Sequence, residues 1–527
     1  MSVSILDCTL RDGGYVNDFR FGKHRIRSII RRLANAGIDI VECGFLMSGK
    51  TDPDRSLFAS IEAVNAYIDK KIDGILYVAM IAYGDISDEE ISPCDKSGVE
   101  GIRVTFHNHQ VEQAFELGYK LMAKGYKVFM QPVGTVSYTD YEFLELVEKV
   151  NVMKPFAFYI VDTMGTLYKD SLLHLFYMAD KNLDSSVRIG YHSHNNLQLA
   201  FSNAQALVDL PTKRDIIVDS SVYGMGRGAG NLCTELISQY INDNVTMKYD
   251  VVAVMEIYDR YISGIFKEYP WGYAVPYFIA STNVCHPNYA QYLLGKQTLS
   301  MKDINSILSS IPVQERHLYN STLIENLYTD FKRISVDDEE TVKSIRETIS
   351  GRKVLLVAPG KSLVDNAQQI NEFITDEKPY VISVNFAFEN DIVDAVFISN
   401  VKRLENIDTS TDYDVIAASC IKKDISGEKV KFVNYYDLIS TSEKESDNAG
   451  VMAIRLLVRM GVDNVYLAGF DGYDRHREKN YVSGLEGGIS VDDELMEAKN
   501  ISIRNQINDL RKKTDIVFIT PSKYNEV

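Results

Sequence analysis

Leu6-Asp7-Cys8-Thr9-Leu10-Arg11-Asp12-Gly13-Gly14 governs the reading of the first half of the chain. An apolar run from Val3 to Leu6 delivers an Arg-Asp pair to a Gly-Gly turn, as a strand does when it presents a charged pair at its end. Such a pair can hold a metal and an anionic substrate side by side, or it can be a surface ion pair of little energetic worth. The residues downstream decide between the two.

Working outward, seven more β-rich runs follow the first (3–8), at 38–43, 75–80, 101–105, 127–131, 157–161, 187–191 and 216–219. Helical patterns separate them, at 24–36, 56–68, 110–123, 141–150, 171–180 and 197–207. Eight strands alternating with helices over roughly 230 residues predict a (β/α)8 TIM barrel within residues 1–275. A doubly wound open sheet is the alternative, but it seldom uses eight strands at such even spacing. A barrel carries its chemistry at the C-terminal ends of its strands. Polar residues collect there: Arg11 and Asp12, Glu42, His107, Gln131, Asp162 and Thr163, His192-Ser193-His194, and Asp219.

Residues two apart on a strand share a face, so His192 and His194 can place two imidazoles on one ion. With Asp12 from the first strand end they make a two-histidine, one-carboxylate set with open positions. That set suits Mn, Mg, Co or Fe better than a closed structural zinc. Asn195 and Asn196 can fix the loop. Two hydrogen-bonded loop histidines remain the alternative.

Composition narrows the partners. The chain has 527 residues, 45% hydrophobic and 24% charged, which is long enough for two or three separate cores. A formal charge of -17 without a basic stripe argues against nucleic acid and anionic lipid. No apolar run is long enough for a membrane span and no signal segment is evident, so a cytoplasmic protein is expected. Six scattered cysteines without a CxxC spacing fit reduced thiols.

Three ordered motifs carry a resemblance: Asp7-x-Thr9-Leu10-Arg11-Asp12-Gly13, Gly190 to Asn196, and Gly224-Met225-Gly226-Arg227-Gly228-Ala229-Gly230-Asn231. Together they resemble the signatures of the DRE-TIM (HMGL-like) metallolyases, which include HMG-CoA lyase, isopropylmalate synthase and 4-hydroxy-2-oxovalerate aldolase, and the last is the most similar. The segment Asn283 to Tyr289 resembles the helical extension that follows the barrel in the aldolases, here expected at 276–345. The resemblance implies that Asp12, His192 and His194 bind a divalent metal, Mn or Mg, which chelates a 2-oxo acid. It further implies that Arg11 stabilises the enolate oxygen as a carbon-carbon bond breaks or forms, and that the protein is a homo-oligomer. Glu42 is a further expected catalytic residue, and Gln131, Asp162, Thr163 and Asn196 are expected at the substrate. One departure stands out. The aldolases carry a basic histidine shortly after the Arg-Asp-Gly turn, where this chain reads Gly14-Tyr15-Val16. Either Tyr15 or His107 takes over as base, or the substrate differs.

After the acidic run Asp337 to Glu340, read as a linker or an exposed helix start, a second domain is expected over 346–527. Its strands are predicted from Lys353 to Val357 and at 380–384, 395–399, 415–418, 465–468 and 516–519, with helices at 451–460 and 500–512, in a Rossmann-like α/β layout. Gly360-Lys361-Ser362 is not a Walker motif, because the first glycine would fall at Leu355. The turns Ala358-x-Gly360-x-Ser362-Leu363, Val384-Asn385, Asn448-Ala449-Gly450 and Leu467 to Tyr473 resemble those of bacterial CMP-sialic-acid-dependent sialyltransferases. This implies nucleotide or nucleotide-sugar binding by Gly360, Ser362, Asn385, Gly450, Asp471 and Tyr473. Pro359 replaces the turn Asn of those enzymes, and His476 is the one histidine after Tyr473 available as a base.

The combined expectation is a metal-dependent aldolase or lyase acting on a 2-oxo acid, with surface-polysaccharide sugar metabolism as its setting. An acyl-CoA-dependent condensing synthase is one alternative. A nucleotide-sugar-binding protein or glycosyltransferase with a degenerate barrel is the other.

Overall fold

Strand β1 (Val3–Asp7) begins a set of eight parallel strands that closes on itself. The others are β2 (Ile40–Leu46), β3 (Leu76–Ala82), β4 (Gly101–Phe106), β5 (Lys127–Pro132), β6 (Ala157–Asp162), β7 (Arg188–Ser193) and β8 (Ile216–Ser220). β1 pairs with β8 on one side, Val3 opposite Ile216, and with β2 on the other, Leu6 opposite Ile40. This closes the expected TIM barrel. The structure, a computed structural model, describes residues 2–388, 392–407, 412–440, 443, 445–474 and 493–525.

Alternation along the strands builds two apolar layers. Leu6, Val78, Phe129, Tyr159 and Ile217 pack together as one cluster, while their neighbours Ile5, Ala79, Val128, Phe158 and Val218 belong to the larger core that the helices cover. Helix Lys23–Asn35 shows why these segments are helical: Ile26, Ile29, Ile30 and Leu33 repeat at three- and four-residue spacing and are all buried. Gly190 has no substitute, because a Cβ there would lie 2.2 Å from the Tyr159 ring.

Contacts divide the chain into two units, Met1–Gln291 with Ile311–Tyr319, and Tyr292–Ser310 with Asn320–Val527. Residues 276–345, expected as one extension, are therefore shared out. In the first unit, the Tyr289 hydroxyl donates to the carbonyls of Glu315 and Leu318, both at 2.8 Å. In the second, Tyr328 and Lys332 reach Asp447. The acidic run is not merely solvated, since Asp338 is buried and takes two hydrogen bonds from Arg459, at 2.6 and 2.7 Å.

Among the described residues, the second unit contains seven parallel strands: β9 (Val354–Val357), β10 (Tyr380–Val384), β11 (Ala395–Ile398), β12 (Asp414–Ala418), β13 (Val430–Val433), β14 (Asn464–Ala468) and β15 (Asp515–Phe518). Their order is β13-β12-β11-β10-β9-β14-β15, a doubly wound sheet whose direction of growth reverses between β9 and β14. The edge strand β13 was not expected from sequence. His476 lies outside the described residues. All six cysteines are free, and no described helix is long and apolar enough to cross a membrane.

Candidate active site

The corner after β1 is set by its own hydroxyls and carboxylate. Asp7 accepts from Thr9 N at 2.9 Å and from the Thr234 hydroxyl at 2.7 Å, while Thr9 Oγ1 accepts from Val222 N at 2.8 Å. Burial pushes Asp7 up to about 6, against these hydrogen bonds. The chain then turns so that Asp12 N donates to Cys8 O at 2.8 Å. Gly14 allows Phe19 to pack on the turn, where a Cβ would come within 2.2 Å of the ring.

This corner brings Asp12 to His192 and His194. One ligand atom from each lies within 4.8 Å of the others, and all three side chains are buried. His192 Nδ1 lies 3.0 Å from Asp219 Oδ2 and its Nε2 faces Asp12 Oδ1 at 4.0 Å. Asp219 thereby fixes which nitrogen is offered inward. Burial works against ionisation of Asp12, but Arg11, His194, His192 and Arg227 outweigh it and hold the carboxyl far below its usual range. Burial pushes His194 down to about 4, so it is neutral near pH 7 and has a lone pair to give. Asn231 Nδ2 donates to Asp12 Oδ2 at 2.8 Å. Buried with no partner among the described residues are His194 Nδ1, Asn231 Oδ1, Ser193 Oγ, Glu42 Oε1 and Arg11 Nη2. An ionised carboxylate, two histidines and orphaned acceptors fit a divalent cation.

Arg11 is clamped by Glu42, with Nε to Oε2 at 2.8 Å, and by Asp12, with Nη1 to Oδ1 at 2.6 Å, which leaves Nη2 free. Beneath it lies Arg103, which the sequence reading missed. This fully buried guanidinium pairs with Glu42 at 2.8 Å and with Asp219, and stands 5.0 Å from the Tyr159 ring centre. Tyr159 donates to Asp219 Oδ1 at 3.0 Å. With its amide oxygen turned inward, Gln131 accepts from Arg103. The signal was present: an arginine between Ile102 and Val104 in an apolar strand must be paired inside.

The other expected residues divide. Asp162 accepts from Thr166 N and Leu167 N at 2.8 and 3.0 Å, and burial raises it to about 6. Thr163 Oγ1 accepts from Gly134 N at 2.9 Å, and Asn196 bridges Met164 O and Ala229 N, both at 2.9 Å. These three hold the loops around the mouth. His107 is half-buried and stacked on His109, 5.8 Å between centres, and burial holds it below its usual range. Tyr15 is 42% exposed, with the Arg227 guanidinium 4.1 Å from its ring centre. Arg227 Nη1 in turn lies 3.2 Å from His286 Nε2, a buried imidazole that burial pushes down to about 3.

In the second unit, Gly360, Ser362 and Asp471 meet at the reversal between β9 and β14. Gly360 N donates to Gly469 O at 3.0 Å, Ser362 N to Asp471 Oδ2 at 2.8 Å, and the Ser362 hydroxyl also bonds Asp471. Gly450 packs on Phe470, and Tyr473 OH lies 3.5 Å from Asn448 Nδ2. Asn385, after β10, accepts from Ser399 N at 3.0 Å.

A parallel (β/α)8 barrel thus brings an Asp from the loop after its first strand and a His-x-His at the end of its seventh together beside a clamped arginine, a set that could hold a metal ion. Residues 2–260 match the HMGL-like family model, which supports a DRE-TIM barrel over that part of the chain. The chain is 26% identical over 247 residues to a 4-hydroxy-2-oxovalerate aldolase of Geobacillus genomosp. 3, covering 45% of this chain and 69% of the relative. It is 23% identical over 275 residues to 4-hydroxy-2-oxovalerate aldolase 6 of Rhodococcus jostii RHA1, covering 51% and 76%. The structure of an HMG-CoA lyase from Brucella melitensis superposes with TM-score 0.40 and 16% identity, over 49% of this chain and 96% of that one.

Proposed function

We propose that the barrel makes or cleaves a carbon-carbon bond next to a 2-oxo acid with the help of a divalent metal, Mn or Mg. The observation that carries this is the convergence of Asp12, His192 and His194 beside the free Nη2 of Arg11. A bound ion supplies Lewis acidity at the 2-oxo acid. Arg11, held by Glu42 and Asp12, offers Nη2 to the oxygen that becomes negative in the enolate, and a clamped guanidinium does this without giving up a proton. Glu42, itself held by Arg103, keeps it from turning away. Tyr15, three residues past Asp12 at the mouth, is our candidate proton carrier.

Deuterium exchange into the methyl group of pyruvate, followed by NMR with Mn or Mg present, tests the reading. His192→Ala should slow exchange at least about 100-fold, and an unchanged rate overturns the proposal. Tyr15→Phe tests the proton carrier in the same assay. Release of free CoA from an acyl-CoA and a 2-oxo acid would instead identify a condensing synthase.

For the second unit we propose nucleotide or nucleotide-sugar binding at the reversal of the sheet. Support comes from the general position of ligands in doubly wound sheets and from Gly360, which leaves no space for a side chain against Gly469 O. Calorimetric titration of the full chain with CMP and other nucleotides tests it, and binding by none removes the reading. A setting in surface-polysaccharide metabolism follows only from a positive result.

A further inference from the structure

The loop between Gly224 and Asn231 holds its backbone rigidly over the barrel mouth. Gly224, Gly228 and Gly230 take left-handed φ values of 61, 67 and 83°, and a Cβ on Gly230 would lie 2.1 Å from Gly224 O. Asn231 N donates to Gly224 O at 2.9 Å, Gly230 N to Arg227 O at 3.1 Å, and Ala229 N to Asn196 Oδ1 at 2.9 Å. Arg227 therefore projects from a fixed point.

No carboxylate among the described residues forms a salt bridge with Arg227, and Asp12 feels its charge only from a distance. Arg11 is paired with Asp12 and Glu42, and Arg103 with Glu42 and Asp219, but among the described residues Arg227 meets only the Tyr15 ring and His286, both without negative charge. The contact with His286 carries a second message. His286 Nδ1 accepts from Asn288 N at 3.2 Å, so the lone pair of the neutral ring is used there. With Nδ1 accepting there, Nε2 carries the hydrogen and meets the Arg227 N–H at 3.2 Å; in the other tautomer the clash moves to Asn288 N, so the one lone pair of the ring always faces two donors. An oxygen anion seated beside the pair accepts from both and removes the conflict.

We infer that Arg227 and His286 form an anion-binding pair at the barrel mouth, which receives a carboxylate or phosphate carried on the substrate fragment that lies away from the 2-oxo acid end. This rests on the lyase reading in one respect: the 2-oxo acid is assigned to the metal that chelates it, with its enolate oxygen at Arg11, which leaves Arg227 for a second anionic group. The favoured acceptor in the condensing direction is then an anionic aldehyde.

The test uses the full chain loaded with Mn. Aldol formation from pyruvate is measured with propionaldehyde, succinic semialdehyde and glyceraldehyde 3-phosphate as acceptors. At least one anionic acceptor should exceed propionaldehyde about 100-fold in kcat/KM, and the carboxylate and phosphate arms separate the two sources. Arg227→Ala should reduce that ratio at least about 30-fold, chiefly through KM, with partial recovery in Arg227→Lys. In parallel, calorimetric titration with inorganic phosphate and with succinate should show at least one binding, at least about 10-fold more weakly in Arg227→Ala and in His286→Ala. A wild-type ratio near one, or a ratio unmoved by Arg227→Ala, overturns the inference. Pyruvate deuterium exchange without any acceptor reports on the lyase reading alone. If exchange is absent, the anion titrations still decide the pair: weakened binding in both variants supports it, and equal binding overturns it.

Discussion

Two parallel sheets in this chain gather buried charge at their C-terminal edges and treat it in opposite ways. In the second unit, Asp447 accepts from Lys332 Nζ at 2.8 Å, from Tyr435 OH at 2.9 Å and from Tyr328 OH, which also bonds Thr298 Oγ1 at 2.8 Å. Although burial works the other way, Lys332 and Lys296 hold Asp447 well below the carboxylate range, and burial pushes Tyr328 and Tyr435 up. At the barrel mouth the five buried polar atoms named above have no hydrogen-bond partner among the described residues. A cluster that closes on itself stabilises its fold, whereas one with orphaned groups is built for something that arrives later. Asp471 follows the first pattern, since its carboxylate already occupies the amide of Ser362.

The contrast can be broken at several points. Lys332→Ala leaves Asp447 buried without its salt bridge, and should lower the stability of the second unit by about 3–5 kcal/mol in urea unfolding. Lys332→Met with Asp447→Asn should restore most of it, and a loss under about 1 kcal/mol for the single change would make the cluster incidental. In the barrel, Asp7 provides a pH signature. Its pKa is raised by folding, so its ionisation costs stability above about pH 6, and that cost is relieved as the pH falls toward 3.8. The rise corresponds to about 3 kcal/mol. Wild type should therefore gain on Asp7→Asn between pH 7 and pH 4.5, and parallel pH profiles would show that Asp7 is not strained. Saturating Mn, at about 100 times its Kd, should stabilise the barrel by about 2.7 kcal/mol, and His194→Gln should abolish the gain. An equal gain in His194→Gln would remove that residue from the metal set. The smallest effect is expected from Asn448→Ala, which removes the cap that accepts from Val451 N at 3.2 Å; calorimetry should show a loss of about 1 kcal/mol in the second unit.

How much was readable in advance follows from what each feature depends on. Parallel strands covered on both faces are continuous apolar runs, so the barrel strands were found within a few residues of their ends. Strand β13, Val-Lys-Phe-Val at a sheet edge, lacks that signature because Lys431 is only partly covered. Asp12, His192 and His194 could be grouped because strand ends and the two-residue period suffice to bring them together. Arg103, Asn231 and the Arg227–His286 contact could not, because each depends on which strands and loops become neighbours when the barrel closes. The run did prove to be a helix start, at Glu339, but the burial of Asp338 could not be read for the same reason: its partner Arg459 is 121 residues away.

Arg103 belongs to β4 but is neutralised by Glu42 of β2 and Asp219 of β8. A fragment ending after β4 would keep Glu42 and lose Asp219, and the fragment containing β5 to β8 would bury Asp219 without its cation. The barrel therefore has no natural seam. Strands β1 to β4 cannot exist as an independent half with a settled interior, and any rearranged ancestor or split version of this protein must supply β8 before its floor is electrically complete.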